Sequence, residues 1–383
     1  MALPRIIPPT TAASPASHAL RAEVRQFLTE QLAAQAFTPT VDSWLTGWDE
    51  GFSAALAARG WLGMTVPTEY GGHSRSFPER LVVTEELLAA GAPVAAHWIA
   101  DRQIAPSLLK YGTPEQKHTF LPQITQGTCF FAIGMSEPDS GSDLASVRTR
   151  AQRASGGWTL TGTKVWTSGA HRAHAFIVLA RTAARDRADR HCGLSQFIVD
   201  LHGPGVQVRP IVSMSGTHHF NEVILDDVYV PDTMVLGHIG QGWQQVTSEL
   251  SFERSGPERF LSTFLLLGAC AQTMAAHRVP DDPDLGRLLA RIAGLRHMSM
   301  AVAGALQRGD TADVAAAVVK VLGTTTEGDI ADFADLLSAD DNNRGPRLRH
   351  LVSTAVDQRP GFTLRGGTNE ILRGLIARGL GMR

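Results

Sequence analysis

FAIGMSEPDSGSD at residues 131–143, followed by GGWTLTGTKVWTSG at residues 156–169, decides how the chain is read. A short apolar run enters at Phe131. Pro138, Gly141 and the serines and aspartates around them then exclude a continuing core strand, because proline and glycine break a ladder and Ser and Asp favour turns. GGWTLTGTKVW at 156–166 reads as a strand-like return from that turn, leading to Trp166 and two hydroxyl residues. Polar turns carried by a β scaffold are where binding groups concentrate. Either stretch alone is more often an ordinary hairpin region with polar turns.

Four further segments change that balance. GWLGMTVPTEYGG lies at 60–72, YGTPEQK at 111–117, FNEVILDDVYVP at 220–231 and GGTNEILR at 366–373. Together, in this order and spacing, they resemble the acyl-CoA dehydrogenase family. The resemblance runs over about residues 20–275, fades, and returns at the C-terminal end. It implies an α+β chain of the acyl-CoA dehydrogenase fold: an N-terminal helical domain, a middle β-barrel-like domain and a C-terminal four-helix bundle.

The bulk properties agree. A chain of 383 residues can bury a large core and predicts two or three domains. Apolar residues make up 43 % and charged residues 19 %, and the formal net charge of −2 offers no field for nucleic acid or a membrane surface. Cys129, Cys192 and Cys270 are few and unpatterned, which suits a reducing cytosol and a cytoplasmic location. No apolar run approaches the length of a membrane span. Of the 14 histidines, the close pairs are His171/His174 and His218/His219, and neither has partners at metal-site spacing, so no metal is expected. No G-x-G-x-x-G follows a strand. The nearest glycine cluster, GHIGQGW at 237–243, follows a polar linker, so a dinucleotide would bind without a Rossmann site.

Periodicity divides the chain. Residues 1–17 carry Pro8, Pro9 and Pro15 and read as a flexible tail. Apolar residues at three- and four-residue spacing make 18–125 a helical domain, as in ALRAEVRQFLTEQLAAQ. Valine- and threonine-rich alternation with Gly, Pro and Asp turns makes 126–236 a β domain, and alanine- and leucine-rich runs make 237–383 helical again.

The resemblance also implies a chemistry: removal of a proton α to a thioester while the β-hydrogen passes as hydride to a flavin, FAD. It places Met135 and Ser136 along the flavin ring, with Ser136 in place of a usual threonine. Trp166 packs against the ring, the Ser168 hydroxyl points to its reactive nitrogen, and Ser142 contacts the thioester chain. Thr368 and Glu370 belong to the cofactor-binding region. One family subgroup carries its base directly before the C-terminal Gly-Thr. That position is Gly366 here, which cannot abstract a proton but retains a backbone N–H for the thioester oxygen. A second subgroup uses a Glu-Arg pair on the first long C-terminal helix, and LSFERSGPERF at 250–260 supplies Glu253 and Arg254 as base and substrate-binding neighbour. A glutamate facing an apolar acyl pocket has its pKa raised toward working pH, as a general base requires. An ordinary solvated helical glutamate is the plain alternative, and Glu258 is the fallback base.

The chain departs from homotetrameric relatives where they reach a neighbour's flavin. HRVPDDPDLGRLL at 277–289 keeps Arg278 but follows it with Pro280, Asp281, Asp282 and Asp284. Carboxylates carry the wrong sign beside a pyrophosphate. The expected glutamine and Gly-Gly-x-Gly segment is absent from LSADDNNRGPRLRHLVSTAVDQRPGF at 337–362. These departures resemble subunits that pair with a second related chain in α2β2 enzymes, several acting on steroid side-chain CoA thioesters. HWIADRQIAPSLLKYG at 97–112 also resembles that subgroup. The implied partners are an acyl-CoA substrate, the second chain and electron-transfer flavoprotein as electron acceptor. A structural partner subunit, a carrier-protein thioester dehydrogenase and a flavin monooxygenase on the same fold remain open.

Overall fold

A computed structural model describes residues 7–10, 15–186, 188–254, 256–278, 282–339 and 345–382, with the side chains of 249–253 outside the description. The predicted tail at 1–17 therefore lies largely outside the described residues. In chain order the helices before the sheet are α1 (Pro15–Ala33), α2 (Ser43–Thr46), α3 (Glu50–Ala58), α4 (Phe77–Ala89), α5 (Ala95–Ile99), α6 (Ala105–Tyr111) and α7 (Pro114–Thr125). The strands are β1 (Phe131–Gly134), β2 (Arg150–Ala154), β3 (Gly157–Lys164), β4 (Ala175–Arg181), β5 (Leu194–Asp200), β6 (Val206–Val212), β7 (His218–Pro231) and β8 (Val235–Leu236). Then come α8 (Gly242–Arg254), α9 (Phe264–Ala276), α10 (Pro283–Gln307), α11 (Asp313–Ser338), α12 (Pro346–Phe362) and α13 (Asn369–Gly379). The chain divides into two compact units.

One unit comprises Asp49–Ser74 and Ala95–Leu250. Its sheet runs β6-β7-β3-β2-β4-β5-β8, with β1 parallel to β4 in the register Phe131↔Ala175. β4 and β5 are almost wholly buried, β4 being apolar up to Arg181 while β5 also buries Ser195 and Gln196, whereas β7 alternates buried and open positions. Leu108 and Ile104 of the preceding helices, with Leu121 and Ile124 of α7, pack with Phe131, Ile177 and Ile198 of the sheet. Thr113 and Gln116 form a reciprocal capping box at α7, with Pro114 in the first turn. β8 pairs with only two residues of β5, so the 237–243 glycine cluster follows a short strand and not a linker. Two residues are too few for alternation to register in sequence.

The HWIADRQ segment is not a uniform α-helix. Ala100–Ile104 is a π-helix joining α5 to α6. It buries Asp101, whose Oδ1 accepts the Gly63 N–H at 2.7 Å, and brings the Arg102 guanidinium 4.8 Å from the Trp98 ring centre. His97 is fully enclosed beside Ser53 Oγ at 2.8 Å; burial first, then Arg102, pushes its pKa down to about 3, so the ring is neutral.

The other unit comprises Met1–Trp48, Arg75–Val94 and Ser251–Arg383. α11 is its axis and packs on α9, α10, α12 and α13, while α4 packs on α1 and α10. Gly323 lets α11 approach the turn Pro257–Arg259, since a Cβ there would lie 2.2 Å from the Arg259 carbonyl oxygen. Ion pairs bind α4 to its neighbours: Arg21 to Glu85 at 2.7 Å, Arg25 to Glu86 at 2.7 Å and Arg296 to Glu85 at 3.1 Å.

Beneath α11 lies a charged cluster. Arg365 pairs with the fully buried Asp42 at 2.7 Å, and the Ser262 N–H donates to Glu327 Oε1 at 2.9 Å. Among the described residues Glu327 Oε2 has no hydrogen-bond partner. Burial, helped by the Asp42 charge and opposed by Arg365 and Ser262, raises the Glu327 pKa from 4.5 to about 8. The folded chain therefore binds this proton more tightly than the unfolded chain. The contribution is fully present below about 4.5 and is lost as pH rises through about 8. Glu327→Gln should remove that slope. Urea unfolding from pH 4.5 to 8 should show wild-type stability falling relative to the variant, and parallel curves would exclude a buried titrating acid here.

Candidate active site

The turn after β1 is built on a buried charge. Glu137 accepts the backbone N–H groups of Arg148 at 2.6 Å and Thr149 at 2.8 Å, and pairs with Lys164 Nζ at 2.8 Å. Lys164 also donates to the Met135 carbonyl at 3.2 Å. Lys164 is 0 % exposed, and burial drives its pKa down to about 8 against the pull of Glu137. Burial alone would raise the Glu137 pKa, yet Lys164, Thr149 and Arg148 bring it below its ordinary value. Both groups are thus held as an ion pair at neutral pH. Glu137 and Ser140 exchange backbone hydrogen bonds at 2.8 and 3.0 Å, closing a tight turn that leaves Ser142 exposed.

The second turn follows β3. The Val165 N–H donates to the Ser136 carbonyl at 2.9 Å, so the two predicted cofactor segments are brought side by side. Trp166 has a φ of 60° and is 58 % exposed, with its ring edge-on to Phe220 at 5.5 Å. A left-handed bulky residue stores about 1–3 kcal/mol of strain and persists only where its surroundings enforce it. Here β7 enforces it. Thr167 and Asn221 exchange backbone hydrogen bonds at 3.0 and 3.1 Å, and the Gly169 N–H donates to the His219 carbonyl at 2.8 Å. Ser136 and Ser168 are half-buried, and among the described residues neither hydroxyl has a hydrogen-bond partner. An open indole beside two uncommitted hydroxyls fits a planar heteroaromatic ring with polar edges.

In the other unit, Arg254, Gly366 and Thr368 come together. Gly366 and Gly367 both have left-handed φ, 67° and 87°, which explains two glycines in succession. Arg254 Nε donates to the Gly366 carbonyl at 3.1 Å, and the Gly366 N–H has no acceptor among the described residues. Thr368 caps α13 by accepting the Ile371 N–H at 3.3 Å. Glu370 is exposed in the first turn, where the helix N–H groups lower its pKa. Lys320, fully buried, clamps the turn by donating to the Thr363 carbonyl and Asn369 Oδ1, each at 2.9 Å. The Glu253 side chain lies outside the described residues; its backbone is in the last turn of α8. Glu258 is buried in the short 3-10 turn Pro257–Arg259. Arg278 is exposed after α9, Pro280 and Asp281 lie outside the described residues, and Asp282 caps α10 by accepting the Asp284 N–H at 2.7 Å.

Glu137, Lys164, Lys320 and Asn221 are not among the sequence-predicted site residues. Lys164 had a signal: it falls in step with Trp158 and Leu160 on the inward face of β3, and an inward lysine demands an acid. The histidine pairing differs from either sequence pair. His171 stacks on His218 at 4.1 Å, because β7 lies beside the turn after β3.

Lys164→Met leaves Glu137 charged and buried without its counter-ion and should cost about 3–5 kcal/mol. Adding Glu137→Gln should recover most of it. Denaturant unfolding of the single and double variants checks this, and a coupling energy below about 0.5 kcal/mol would show that the pair does not hold the turn.

Among the described residues no helix is long and apolar enough to cross a membrane. Family models for the acyl-CoA dehydrogenase N-terminal, middle and C-terminal domains match residues 14–128, 132–228 and 281–381. The chain is 36 % identical over 346 residues to acyl-CoA dehydrogenase IpdE1 of Mycobacterium tuberculosis, covering 86 % of each chain. It resembles the solved Tcur3481-Tcur3483 steroid ACAD at 31 % identity and a TM-score of 0.85, covering 97 % of this chain and 99 % of that one. It also resembles a chain of the ChsE4-ChsE5 complex from Mycobacterium tuberculosis at 29 % identity and a TM-score of 0.80, with 97 % and 99 % coverage. Three consecutive domain models and a relative of this identity over most of the chain leave one assignment: the chain belongs to the acyl-CoA dehydrogenase family.

Proposed function

We propose that the chain carries out FAD-dependent α,β-dehydrogenation of an acyl-CoA thioester as one subunit of an α2β2 enzyme, with Glu253 as the base. The observation that supports it most is the Gly366–Gly367 turn. It has no side chain able to take a proton, it offers an uncommitted N–H, and it is tied to Arg254, the neighbour of Glu253. Glu253 removes the proton α to the thioester. The Gly366 N–H donates to the thioester oxygen as charge develops there. Arg254 holds Gly366 through its carbonyl.

Met135, Ser136, Trp166 and Ser168 would hold the flavin ring, and Thr368 and Glu370 belong to the cofactor region. The bound flavin supplies the acceptor for the β-hydrogen. Ser142 is exposed for the thioester chain. The residues present do not fit the adenosine diphosphate end so well. Arg278 is followed by Asp282 and Asp284, and pyrophosphate needs donors. A second related chain would provide them, and two of the similar solved structures bear two-chain names. The steroid ACAD name supports a bulky acyl group as substrate. Electron-transfer flavoprotein is the proposed acceptor and the cytoplasm the proposed location.

Glu253→Gln in the assembled enzyme should lower anaerobic flavin reduction by about 10²–10⁴-fold with flavin content unchanged. Near wild-type reduction would move the assignment to Glu258.

Expression of the chain alone should give little bound flavin. Co-expression with a neighbouring related gene should give one flavin per two chains and activity on bulky acyl-CoA esters over butyryl-CoA. Native mass, flavin-to-protein ratio and a substrate panel measure this; a yellow, active homotetramer with one FAD per chain would refute the heteromeric reading.

A further inference from the structure

We propose that Asn221 is the positioning residue of the Trp166–Ser168 turn, and that the stacked imidazoles of His171 and His218 make its hold acid-sensitive. The proposal rests on the reading that Trp166 and Ser168 face the flavin.

Asn221 is 0 % exposed and makes every hydrogen bond its amide can make in this setting. Nδ2 lies 3.0 Å from the Thr167 carbonyl and 3.1 Å from His171 Nδ1, while Oδ1 lies 2.9 Å from His218 Nε2. The Thr167 carbonyl can only accept, so the amide nitrogen must face it. The same NH2 group then points its second proton at His171 Nδ1, which must be a bare lone pair. The oxygen is left for His218, whose Nε2 must carry a proton. One carbonyl thus dictates the orientation of the amide and the proton positions of two rings.

The backbone of Asn221 acts on the same residue. It exchanges two hydrogen bonds with Thr167, so the side chain and main chain of Asn221 together grip the residue between Trp166 and Ser168. The neighbouring Phe220 supports the Trp166 ring, and His219 accepts the Gly169 N–H. The left-handed Trp166 is therefore held by three consecutive residues of β7, His219, Phe220 and Asn221, of which Asn221 makes the most hydrogen bonds to the turn.

Protonation breaks this arrangement at one point. A proton on His171 Nδ1 would face the Asn221 NH2 group, donor against donor. His218, which donates to Oδ1, lies on the stacked face of His171 at 4.1 Å. The charged and titratable groups facing His171 are His218 on β7 and Arg172 beside it; with burial as the leading cause, they lower its pKa from the ordinary 6.5. The His171 ring is neutral at neutral pH and charges only as pH falls below that value. His218 is exposed and gives protons a path to the pair. Once His171 charges, it must leave Asn221, and the grip on Thr167 loses one of its supports.

The test uses the full-length chain labelled with 5-fluorotryptophan, the Trp166 resonance being assigned by its loss in Trp166→Phe. Between pH 8 and 5 this resonance should shift with the same apparent pKa as the His171 ring protons. His171→Phe, which keeps a stacking ring but cannot titrate, should abolish the shift. Asn221→Asp, which can donate to neither Thr167 nor His171, should displace the resonance at every pH and weaken flavin binding by about 10- to 100-fold, the loss expected when a buried hydrogen bond is left unmade. A Trp166 resonance indifferent to pH in the wild type, or one whose titration survives in His171→Phe, overturns the proposal. Failure of the wild-type chain and its complex to bind flavin overturns the functional reading instead, and the fluorine titration still decides whether Asn221 and His171 govern the turn.

Discussion

A binding turn must be open to its ligand and yet keep one shape, and the buried pair of Glu137 and Lys164 reconciles those demands. The turn after β1 has little apolar surface of its own with which to pack. Its shape comes from below, where one carboxylate collects two backbone N–H groups and one ammonium. Because Lys164 ends β3 and also reaches the Met135 carbonyl, the same ammonium fixes the start of one turn and the entry to the next. Taking both charges out of water costs several kcal/mol per ion, offset only when every lone pair and proton is used. The arrangement nearly reaches that condition, so the pair gives the turn a single geometry more than it gives the unit stability.

The same device recurs in the other unit with different chemistry. Lys320 is also fully buried and also bonds a main-chain carbonyl, that of Thr363, together with a side-chain oxygen, that of Asn369. Between those two residues the chain makes its double left-handed turn at Gly366 and Gly367. Arg254 closes the turn from α8, and Arg365, paired with Asp42, anchors its approach. In both units exposed groups suited to a ligand stand on a lysine that no ligand could reach.

The fold was largely legible. Alternation across 126–236 and the three-four spacing in ALRAEVRQFLTEQLAAQ are local patterns set by which face meets the core, and the strands and α1 lie where those patterns put them. The turn residues Pro138 and Gly141 were legible for an equally local reason, since each permits or forbids a backbone conformation. The π-helix at Ala100–Ile104 was not, because the segment is buried on every side and mixes charged with apolar residues, so no apolar face marks its period. β8 was missed because two residues carry no period. The residues that hold the site were missed for another reason. Lys164 betrays itself only by falling in step with Trp158 and Leu160, Lys320 looks like an ordinary solvated lysine until the helix around it is packed, and Asn221 looks like a turn residue until β7 is laid beside the turn after β3.

The sequence by itself determined the order of helices, strands and helices and the place of the polar turns, because these depend on the conformational limits and periodicity of neighbouring residues; Gly366 could be read as a missing base only through the family resemblance. The tertiary structure alone decided which charges meet, which histidines stack, and how a strained tryptophan is held. Glu137 and Lys164 are 27 residues apart, His171 and His218 47, and Lys320 and Asn369 49. No local propensity links such residues. They meet because the sheet register and the helix packing bring them together, and buried polar groups can persist only where that packing supplies a partner.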